Sequence, residues 1–315
     1  MITTQHLQND FTSGLKEFLD SYPESNLFVP IHYLLSLGGK RIRPILALSV
    51  CNAEGGSSSD AIPASIAIEL FHNFTLMHDD IMDNAPLRRG RQTVHEKYSE
   101  NAAILSGDAL FTAAYQAIEL ASPDVMLQLL KLLNKTSMEV CEGQQQDLDF
   151  ESLEQVNEEM YLEMIRLKTS VLLAASCAMG AISAGATDDR VELWYEFGEK
   201  LGLAFQIQDD YLDTFGSEID TGKQVGGDIL ADKKTFLFIH ASTHCELPSS
   251  DGLTDIEKIK NVSEAMKASE SDIAAKNLMK SYSDLASIAL DKLALNPSTK
   301  TWFEELLFSV TERVS

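Results

Sequence analysis

The chain has 315 residues, of which 44% are hydrophobic, and its 48 acidic residues outnumber 25 basic ones to give a formal net charge of −23. A surface this acidic disfavours nucleic acid and anionic membranes as partners, because both carry negative charge. The chain contains only 8 prolines and no Pro/Ser-rich linker. We therefore predict one domain spanning residues 1–315.

The cysteines and the N-terminus predict a cytoplasmic protein. The four cysteines are widely scattered: Cys51, Cys141, Cys177 and Cys245. Because no pair has C-x-x-C spacing, they fit neither a zinc site nor a disulfide framework, and we expect reduced, mostly buried thiols. The N-terminal MITTQHLQNDF lacks the basic start and apolar core of a signal peptide.

Helical spacing of apolar residues extends over most of the chain, and no convincing strand alternation occurs. The predicted helices are, in order, 7–19, 30–37, one from about 45, 62–84, 102–120, 125–146, 153–184, 189–212 and a helical region from about 256 to the end. Residues 169–186 carry no charge, but they are mainly small residues and favour a packed central helix over a membrane span. The predicted fold is all-α.

The first basic motif is GGKRIRP at residues 38–44. Glycines let backbone N–H groups approach an anion, and Lys40, Arg41 and Arg43 add further donors, as in a phosphate-binding loop. A helix C-cap followed by a solvated loop fits the same letters equally well. The motif alone does not decide between these two interpretations.

Two aspartate-rich segments dominate the sequence. They are DDIMD at Asp79–Asp83 and DDYLD at Asp209–Asp213, and each follows a strongly apolar helical run. The first and last aspartates of each segment are four residues apart and therefore share one helix face. A chance acidic surface explains one copy more easily than two. Because carboxylates on largely buried helices need a partner and Mg²⁺ prefers oxygen ligands, we predict a pair of facing magnesium sites.

Basic residues follow both aspartate segments. Leu87-Arg88-Arg89-Gly90-Arg91 lies just beyond the first segment, and Lys223, Lys233 and Lys234 lie beyond the second in a glycine-containing stretch. Arginine is suited to bidentate phosphate recognition. Pairing with neighbouring acids is the alternative for these loops. Metal ions and basic side chains both stabilise a departing diphosphate, and apolar helices suit a hydrocarbon. Together they indicate a substrate with a diphosphate head and a hydrocarbon tail.

Four motifs, taken together and in order, are specific for one protein family. GGKRIRP, DDIMDNAPLRRG, the Lys168-Thr169 pair and FQIQDDYLDTFG with GKQVGGDI follow one another in order, and with them the chain resembles the trans-polyprenyl diphosphate synthases, the farnesyl and geranylgeranyl diphosphate synthase family. The resemblance runs from about Gly38 to Phe236. It implies a helical bundle around a deep central cavity, usually a homodimer. It also implies a prenyltransferase that condenses isopentenyl diphosphate with dimethylallyl, geranyl or farnesyl diphosphate, using about three Mg²⁺ ions per site.

The resemblance also implies roles for individual residues. The magnesium ions would be held by the aspartates of both segments: Asp79, Asp83 and Asp209, supported by Asp80, Asp210 and Asp213. The allylic diphosphate would be bound by Arg88, Lys168, Lys223 and Lys233, and isopentenyl diphosphate by Lys40, Arg43, His72 and Arg89. Thr169 and Gln206 would face the allylic carbon, so that their oxygens stabilise the cation; with Lys168, Asp79 and Asp209 they form the predicted catalytic set.

Some positions depart from the family pattern or vary within it. The first segment has two residues between its aspartate groups, whereas many bacterial farnesyl synthases have four. His72 is one of two alternatives in the family, the other being glutamine. The adjacent Lys233 and Lys234 make the role of Lys233 provisional, and the C-terminal TERVS lacks the basic tail of some members. These departures do not change the predicted reaction class, but they leave the length of the product open.

Product length is predicted from the helix that precedes Asp79. Phe71, Phe74 and Thr75 lie one to two turns before that aspartate and would form the floor of the cavity, which predicts a product of fifteen or twenty carbons. Core packing of Phe74 against a neighbouring helix is the alternative.

Three rival functions share some of these features. A class I terpene cyclase would need no second diphosphate site, and an HD-type phosphohydrolase would need more histidine ligands than the spacing of these 7 histidines offers. An inactive regulatory subunit of a prenyl synthase should have lost aspartates, and here both segments are complete.

Overall fold

The structure is a computed structural model that describes residues 3–216, 225–248 and 252–311. It is 78% helical with almost no strand, so the predicted all-α fold class is confirmed. The chain forms two compact units, one of residues 1–137 and 175–195 and the other of residues 138–174 and 196–315. The single domain over residues 1–315 stays a prediction.

The first unit is built from the N-terminal helices. Its elements are α1 (Thr4–Asp20), α2 (Val29–Ser36), α3 (Ile42–Ala53), α4 (Ser58–Met82), β1 (Leu87–Arg88), β2 (Arg91–Gln92), α5 (Val94–Lys97) and α6 (Glu100–Ile118), together with the parts of α7 (Pro123–Ser152), α9 (Val171–Ser183) and α10 (Asp188–Phe215) that fall within its residues.

The second unit contains the remaining parts of α7, α9 and α10 and the C-terminal helices. Its other elements are α8 (Glu158–Ile165), a π-helical turn (Arg166–Ser170), α11 (Gly227–Leu230), α12 (Phe236–His244), α13 (Asp255–Ala268), α14 (Ser271–Lys292) and α15 (Pro297–Thr311). The predicted helix 153–184 is therefore interrupted by a π-turn and starts later than expected, because α7 extends to Ser152.

Amphipathic spacing explains why the first unit packs as it does. The apolar residues that recur at helical spacing in α1 are all buried: Leu7, Phe11, Leu15, Phe18 and Leu19. The 25-residue α4 begins with a capping box between Ser57 and Asp60 and packs along α6. The close approach of α4 and α6 places the first aspartate segment at the C-terminal end of a helix fixed by its neighbours.

The second unit has its own apolar core, in which residues of α8, α10, α12, α13 and α14 are buried together. Tyr161 of α8 and Ile207 and Tyr211 of α10 belong to this core. The second aspartate segment therefore lies on a helix whose other face is buried.

A short antiparallel hairpin was not predicted. Strands β1 and β2 pair Leu87 with Gln92 and Arg88 with Arg91. The two turn residues, Arg89 and Gly90, both have positive φ values, of 53° and 72°, which is the requirement of a type I′ hairpin turn. Strands of two residues are too short to show alternation, so the sequence pattern did not indicate them.

The predicted burial of the cysteines is only half correct. Cys51 and Cys177 are buried, Cys245 is partly exposed and Cys141 is exposed, and all four are free thiols. Burial raises the pKa of Cys51 to about 12.

The predicted packed helix is confirmed. Among the described residues, one helical stretch, Glu158–Ser183, is long and apolar enough to cross a membrane by length and composition. Because 83% of its most apolar window is buried inside the protein, the stretch has the surroundings of a core helix.

Candidate active site

The first aspartate segment forms the end of α4, and its three aspartates differ in exposure. Asp80 is buried, Asp79 is partly buried and Asp83, the C-cap residue, is exposed. Arg88 donates from Nε to both carboxylate oxygens of Asp80 at 2.9 and 2.8 Å, and its Nη2 lies 2.7 Å from Oδ1. The middle carboxylate is therefore neutralised within the protein, while Asp79 and Asp83 are more accessible.

Arg43 contacts His72 of α4, and three further arginines lie close enough to affect its charge. Arg43 Nη1 lies 3.2 Å from His72 Nε2, and the charges of Arg43, Arg88, Arg89 and Arg41 all act on the imidazole. Burial and then these four charges lower the pKa of His72 well below 6.5. Glu69 and Asp80 each pair with one of these arginines, which leaves Arg43 and Arg89 without a carboxylate partner among the ion pairs of the described residues, and such an excess of positive charge is the pattern of an anion site. We name this group the arginine cluster.

Three arginines of the cluster, Arg41, Arg88 and Arg89, bind protein acceptors. Arg41 pairs with the buried Glu69 and donates to the carbonyl of Leu35 at 2.7 Å. Arg43 is different, because its buried Nε has no hydrogen-bond partner in the part of the chain that the structure describes. Burial lowers the pKa of Arg43 to about 10, and an added anion would satisfy this donor.

Gly39 makes room for the hairpin arginine. It has a φ of +135°, and a Cβ at this position would lie only 2.8 Å from Arg89 Nη2. Arg89 in turn donates to the carbonyl of Gly38. The Arg89 side chain therefore packs against the glycines of GGKRIRP, although Arg89 belongs to a separate sequence motif. The exposed Lys40 follows these glycines directly.

The second aspartate segment repeats the pattern on α10. Asp210 is buried, Asp213 is partly buried and Asp209 is exposed. Asp210 accepts a hydrogen bond from Tyr161 Oη at 2.5 Å and one from Gln206 Nε2 at 2.8 Å. Asp213 accepts the backbone N–H of Asp228 at 2.8 Å. Burial and then the charge of Asp228 raise the pKa of Asp210 well above its usual range.

The π-turn positions the Lys168-Thr169 pair. Lys168 Nζ pairs with Asp147 of α7 at 2.5 Å, and Thr169 Oγ1 donates to Gln206 Oε1 at 2.9 Å. A Cβ on Gly143 would lie 2.3 Å from the backbone nitrogen of Lys168, so only glycine lets α7 approach this turn. Single π-turns inside helices frequently mark functional sites because they re-aim side chains.

The two adjacent lysines after the second segment have different roles. Lys234 donates to the backbone carbonyls of Phe150, at 2.5 Å, and Leu153, at the end of α7. Lys233 is 46% exposed and lies 3.8 Å from Asp228. The geometry therefore favours Lys233 as the residue directed towards solvent. Lys223, also predicted to bind diphosphate, lies outside the described residues.

The residues predicted to set product length form part of an aromatic group between α4 and α6. Phe71 is buried, and the Phe74 ring lies 5.1 Å from Phe111 and 4.8 Å from His78. Thr75 is partly buried, and its hydroxyl donates to the carbonyl of His72 at 2.8 Å. Phe74 therefore packs against the neighbouring helix α6, which is the alternative to a role in the cavity floor, but it is not fully buried.

Comparison with known proteins decides the family. The sequence model described as polyprenyl synthetase matches residues 24–273. The chain belongs to the polyprenyl synthetase family. Its relatives include a short chain isoprenyl diphosphate synthase of Methanocaldococcus jannaschii, 40% identical over 83% of this chain and 80% of that protein. A geranylgeranyl diphosphate synthase of Methanosarcina mazei is 41% identical over 73% of this chain and 71% of that protein.

Solved structures agree. A crystal structure of geranylgeranyl pyrophosphate synthase superimposes with a TM-score of 0.95 at 40% identity, covering 100% of both chains. The family resemblance drawn from the motifs is confirmed, and the polyprenyl synthetase fold is the isoprenoid synthase fold. As a member of this family the chain is an enzyme, a prenyltransferase.

Sequence reasoning missed two site residues of this polyprenyl synthetase. Glu69 anchors Arg41 of the arginine cluster, and Tyr161 holds Asp210. Tyr161 lies 49 residues before its partner in the chain, and neither residue belongs to a recognised motif. Only the three-dimensional contacts assign them.

Proposed function

We propose that the chain is a short-chain trans-prenyltransferase that condenses isopentenyl diphosphate with an allylic diphosphate. The observation that carries the proposal is the arginine cluster beside the first aspartate segment, joined to it by Arg88, which acts on His72 and binds Asp80. Accessible carboxylates at the end of α4, with cations nearby on the hairpin and at the start of α3, suit a metal-bound diphosphate. The relatives named above carry short-chain and geranylgeranyl diphosphate synthase names, which supports the same substrate class.

The accessible carboxylates fit Mg²⁺ better than the buried ones do. Magnesium usually binds one or two carboxylates together with water and substrate phosphates. Asp79, Asp83 and Asp209 would hold it, with Asp213 in support, whereas Asp80 and Asp210 are already bound to protein donors. Among the described residues no three His, Cys, Asp or Glu side chains converge into a metal site by themselves. Bound magnesium would supply charge neutralisation for the diphosphate.

The reaction that we propose breaks the allylic C–O bond and a C–H bond, and it forms a carbon–carbon bond and an O–H bond on diphosphate. The allylic C–O bond breaks and the electron pair leaves with diphosphate, whose charge Arg88, Lys168 and Lys233 offset. The double bond of isopentenyl diphosphate attacks the resulting cation head to tail, and the departed diphosphate accepts the proton that is lost. Thr169 Oγ1 and Gln206 Oε1 would stabilise the cation by their lone pairs. Exclusion of water protects that cation from hydrolysis.

For the product we propose geranylgeranyl diphosphate, with twenty carbons, over the fifteen-carbon alternative. Thr75 lies four residues before Asp79, on the same helix face, and leaves more space there than an aromatic side chain would. Phe71, another turn deeper and fully buried, would close the floor. Replacing Phe74 with Ala and finding the product distribution unchanged would remove Phe74 from the floor and assign it to packing against Phe111.

We also propose a homodimer. Large apolar side chains are exposed on and after α6 and on α7, where Leu105 is 59%, Leu120 63% and Leu127 61% exposed. A second copy of the chain would cover them. Light scattering on the purified protein tests this proposal, and a monomer at micromolar concentration would contradict it.

The enzymatic proposal is tested by product analysis. Purified enzyme is incubated with Mg²⁺, isopentenyl diphosphate and each allylic diphosphate in turn, and products are identified by mass. We expect elongated prenyl diphosphates, ending mainly at twenty carbons, and no turnover after chelation of divalent ions. Hydrocarbon formed from farnesyl diphosphate alone would indicate a terpene cyclase instead.

A further inference from the structure

Four side chains of the second unit form a continuous line of hydrogen bonds. Tyr161 Oη donates to Asp210 Oδ2 at 2.5 Å, Gln206 Nε2 donates to Asp210 Oδ1 at 2.8 Å, and Thr169 Oγ1 donates to Gln206 Oε1 at 2.9 Å. Tyr161 is 1% exposed and Asp210 6% exposed. The line therefore starts inside the apolar core and ends at the π-turn.

The chemistry of each group fixes the direction of the line. In the structure Asp210 accepts from both neighbours, and the amide nitrogen of Gln206 faces it. The amide oxygen of Gln206 is then left to accept the hydroxyl hydrogen of Thr169. As a result Gln206 Oε1, which accepts the bond from Thr169, keeps a second lone pair, and Thr169 Oγ1, which donates that bond, keeps lone pairs of its own.

We propose that Tyr161 is a positioning residue for the transferase reaction. By holding Asp210 in one orientation, its phenol fixes the amide orientation of Gln206 and hence the presentation of the Gln206 and Thr169 oxygens. The inference rests on the proposed function, in which those two oxygens stabilise the allylic cation. Asp210 is then a link between the core and the reacting atoms, and its loss affects turnover without affecting metal affinity.

Removal of the phenol tests the start of the line. Tyr161→Phe leaves a buried carboxylate oxygen without its donor, so Asp210 and Gln206 can reorient, and we expect kcat to fall roughly tenfold. The KM values for both diphosphates and the half-saturating Mg²⁺ concentration should stay within about twofold of wild type. The matched control is Tyr282→Phe, which removes a partly buried phenol packed against the same core and should retain wild-type kcat.

Rates are expressed per folded enzyme, measured by circular dichroism, so that lost stability is not read as lost catalysis. An unchanged kcat for Tyr161→Phe overturns the inference. A change confined to KM or to Mg²⁺ dependence also overturns it, because the line would then serve diphosphate or metal binding.

An exchange of carboxylate and amide tests the direction of the line. Asp210→Asn replaces one of the two acceptor oxygens by an NH2 group, so either Tyr161 or Gln206 loses its acceptor and has to reorient, and we expect a loss of roughly tenfold or more in kcat. Adding Gln206→Glu restores an acceptor between the new amide and Thr169 at unchanged net charge. We expect the double variant to recover at least about a third of the wild-type kcat. A double variant whose loss in kcat equals the product of the two single losses overturns the inference. The exchange of carboxylate and amide also tests the inference if Tyr161→Phe does not fold.

Two further variants separate this inference from the proposed function. Thr169→Val and Gln206→Ala should each lower kcat by roughly 100-fold. If both keep wild-type turnover, the assignment of these oxygens to the cation fails, and the positioning inference fails with it. If both lose turnover while Tyr161→Phe keeps it and the exchange shows no recovery, only the positioning inference fails.

Discussion

The two D-D-x-x-D segments carry the same letters but stabilise their buried aspartates differently. In the first, Asp80 is held by the guanidinium of Arg88, a cation. In the second, Asp210 is held by the neutral donors of Tyr161 and Gln206, and burial together with Asp228 raises its pKa. A charged partner offsets the cost of burying a carboxylate more fully than neutral donors do. The comparison shows that one motif combines outer, accessible aspartates with a middle aspartate that belongs to the protein interior.

The largest expected effect separates outer from middle aspartates. Asp79→Asn and Asp209→Asn should each lower kcat/KM by roughly 10⁴-fold, equivalent to about 5.5 kcal/mol, because a metal-supported diphosphate loses a ligand. Their half-saturating Mg²⁺ concentration should rise. For Asp80→Asn we expect a loss of no more than about 30-fold with unchanged Mg²⁺ dependence. Steady-state rates over a range of Mg²⁺ concentrations measure both quantities, and equal losses with equal Mg²⁺ shifts at all three positions would erase the distinction.

The next effect compares the charged partner of Asp80, Arg88, with a neutral partner of Asp210, Tyr161. Arg88→Met leaves Asp80, whose side chain is 2% exposed, as a buried carboxylate without its cation, and should lower the free energy of unfolding by about 3–5 kcal/mol. Tyr161→Phe removes one neutral donor from Asp210 and should cost about 1–3 kcal/mol. The control for the hairpin is the exposed Arg91→Met, expected within about 0.5 kcal/mol of wild type.

Urea denaturation followed by circular dichroism and fluorescence gives these free energies. If Tyr161→Phe costs as much as Arg88→Met, the charge of the partner is not what distinguishes the two segments.

How far the sequence could predict this site depends on the range of the contacts. Helical periodicity predicted most helices, and the motifs placed the aspartates and arginines correctly on helix ends and loops, because both signals are local. The partner of Asp80 is 8 residues away in the chain and that of Asp210 is 49 residues away. No local pattern encodes such pairings. The same limit explains the missed hairpin, whose positive φ at Arg89 follows from its tertiary setting more than from residue preference.

A smaller effect concerns pH and His72, which lies seven residues before the first segment. His72 has a pKa well below 6.5 in the folded enzyme because burial, and then the positive charges of four nearby arginines, disfavour its protonated form. The unfolded chain therefore takes up a proton that the folded enzyme does not, so stability is lost as pH falls below about 6.5, by at most about 1.4 kcal/mol per pH unit for one proton. His72→Gln should flatten this part of the curve and leave the slope between pH 7.5 and 8.5 unchanged. Thermal unfolding from pH 5 to 8.5 measures it, and parallel curves for both proteins throughout would show that His72 does not titrate as stated.

The smallest effect tests whether the two lysines after the second segment differ as its aspartates do, with one bound to the protein interior and the other accessible. Lys234 binds the carbonyls of Phe150 and Leu153 that end α7, whereas Lys233 is exposed. Lys234→Met should therefore cost about 1 kcal/mol of stability and leave kcat and KM at wild-type values. Lys233→Met should leave stability within about 0.5 kcal/mol and raise the KM for the allylic diphosphate. Thermal unfolding and steady-state kinetics on the two variants measure both properties. If Lys234→Met changes KM and Lys233→Met does not, the diphosphate role passes to Lys234, and the division into interior and exposed charges holds for the aspartates alone.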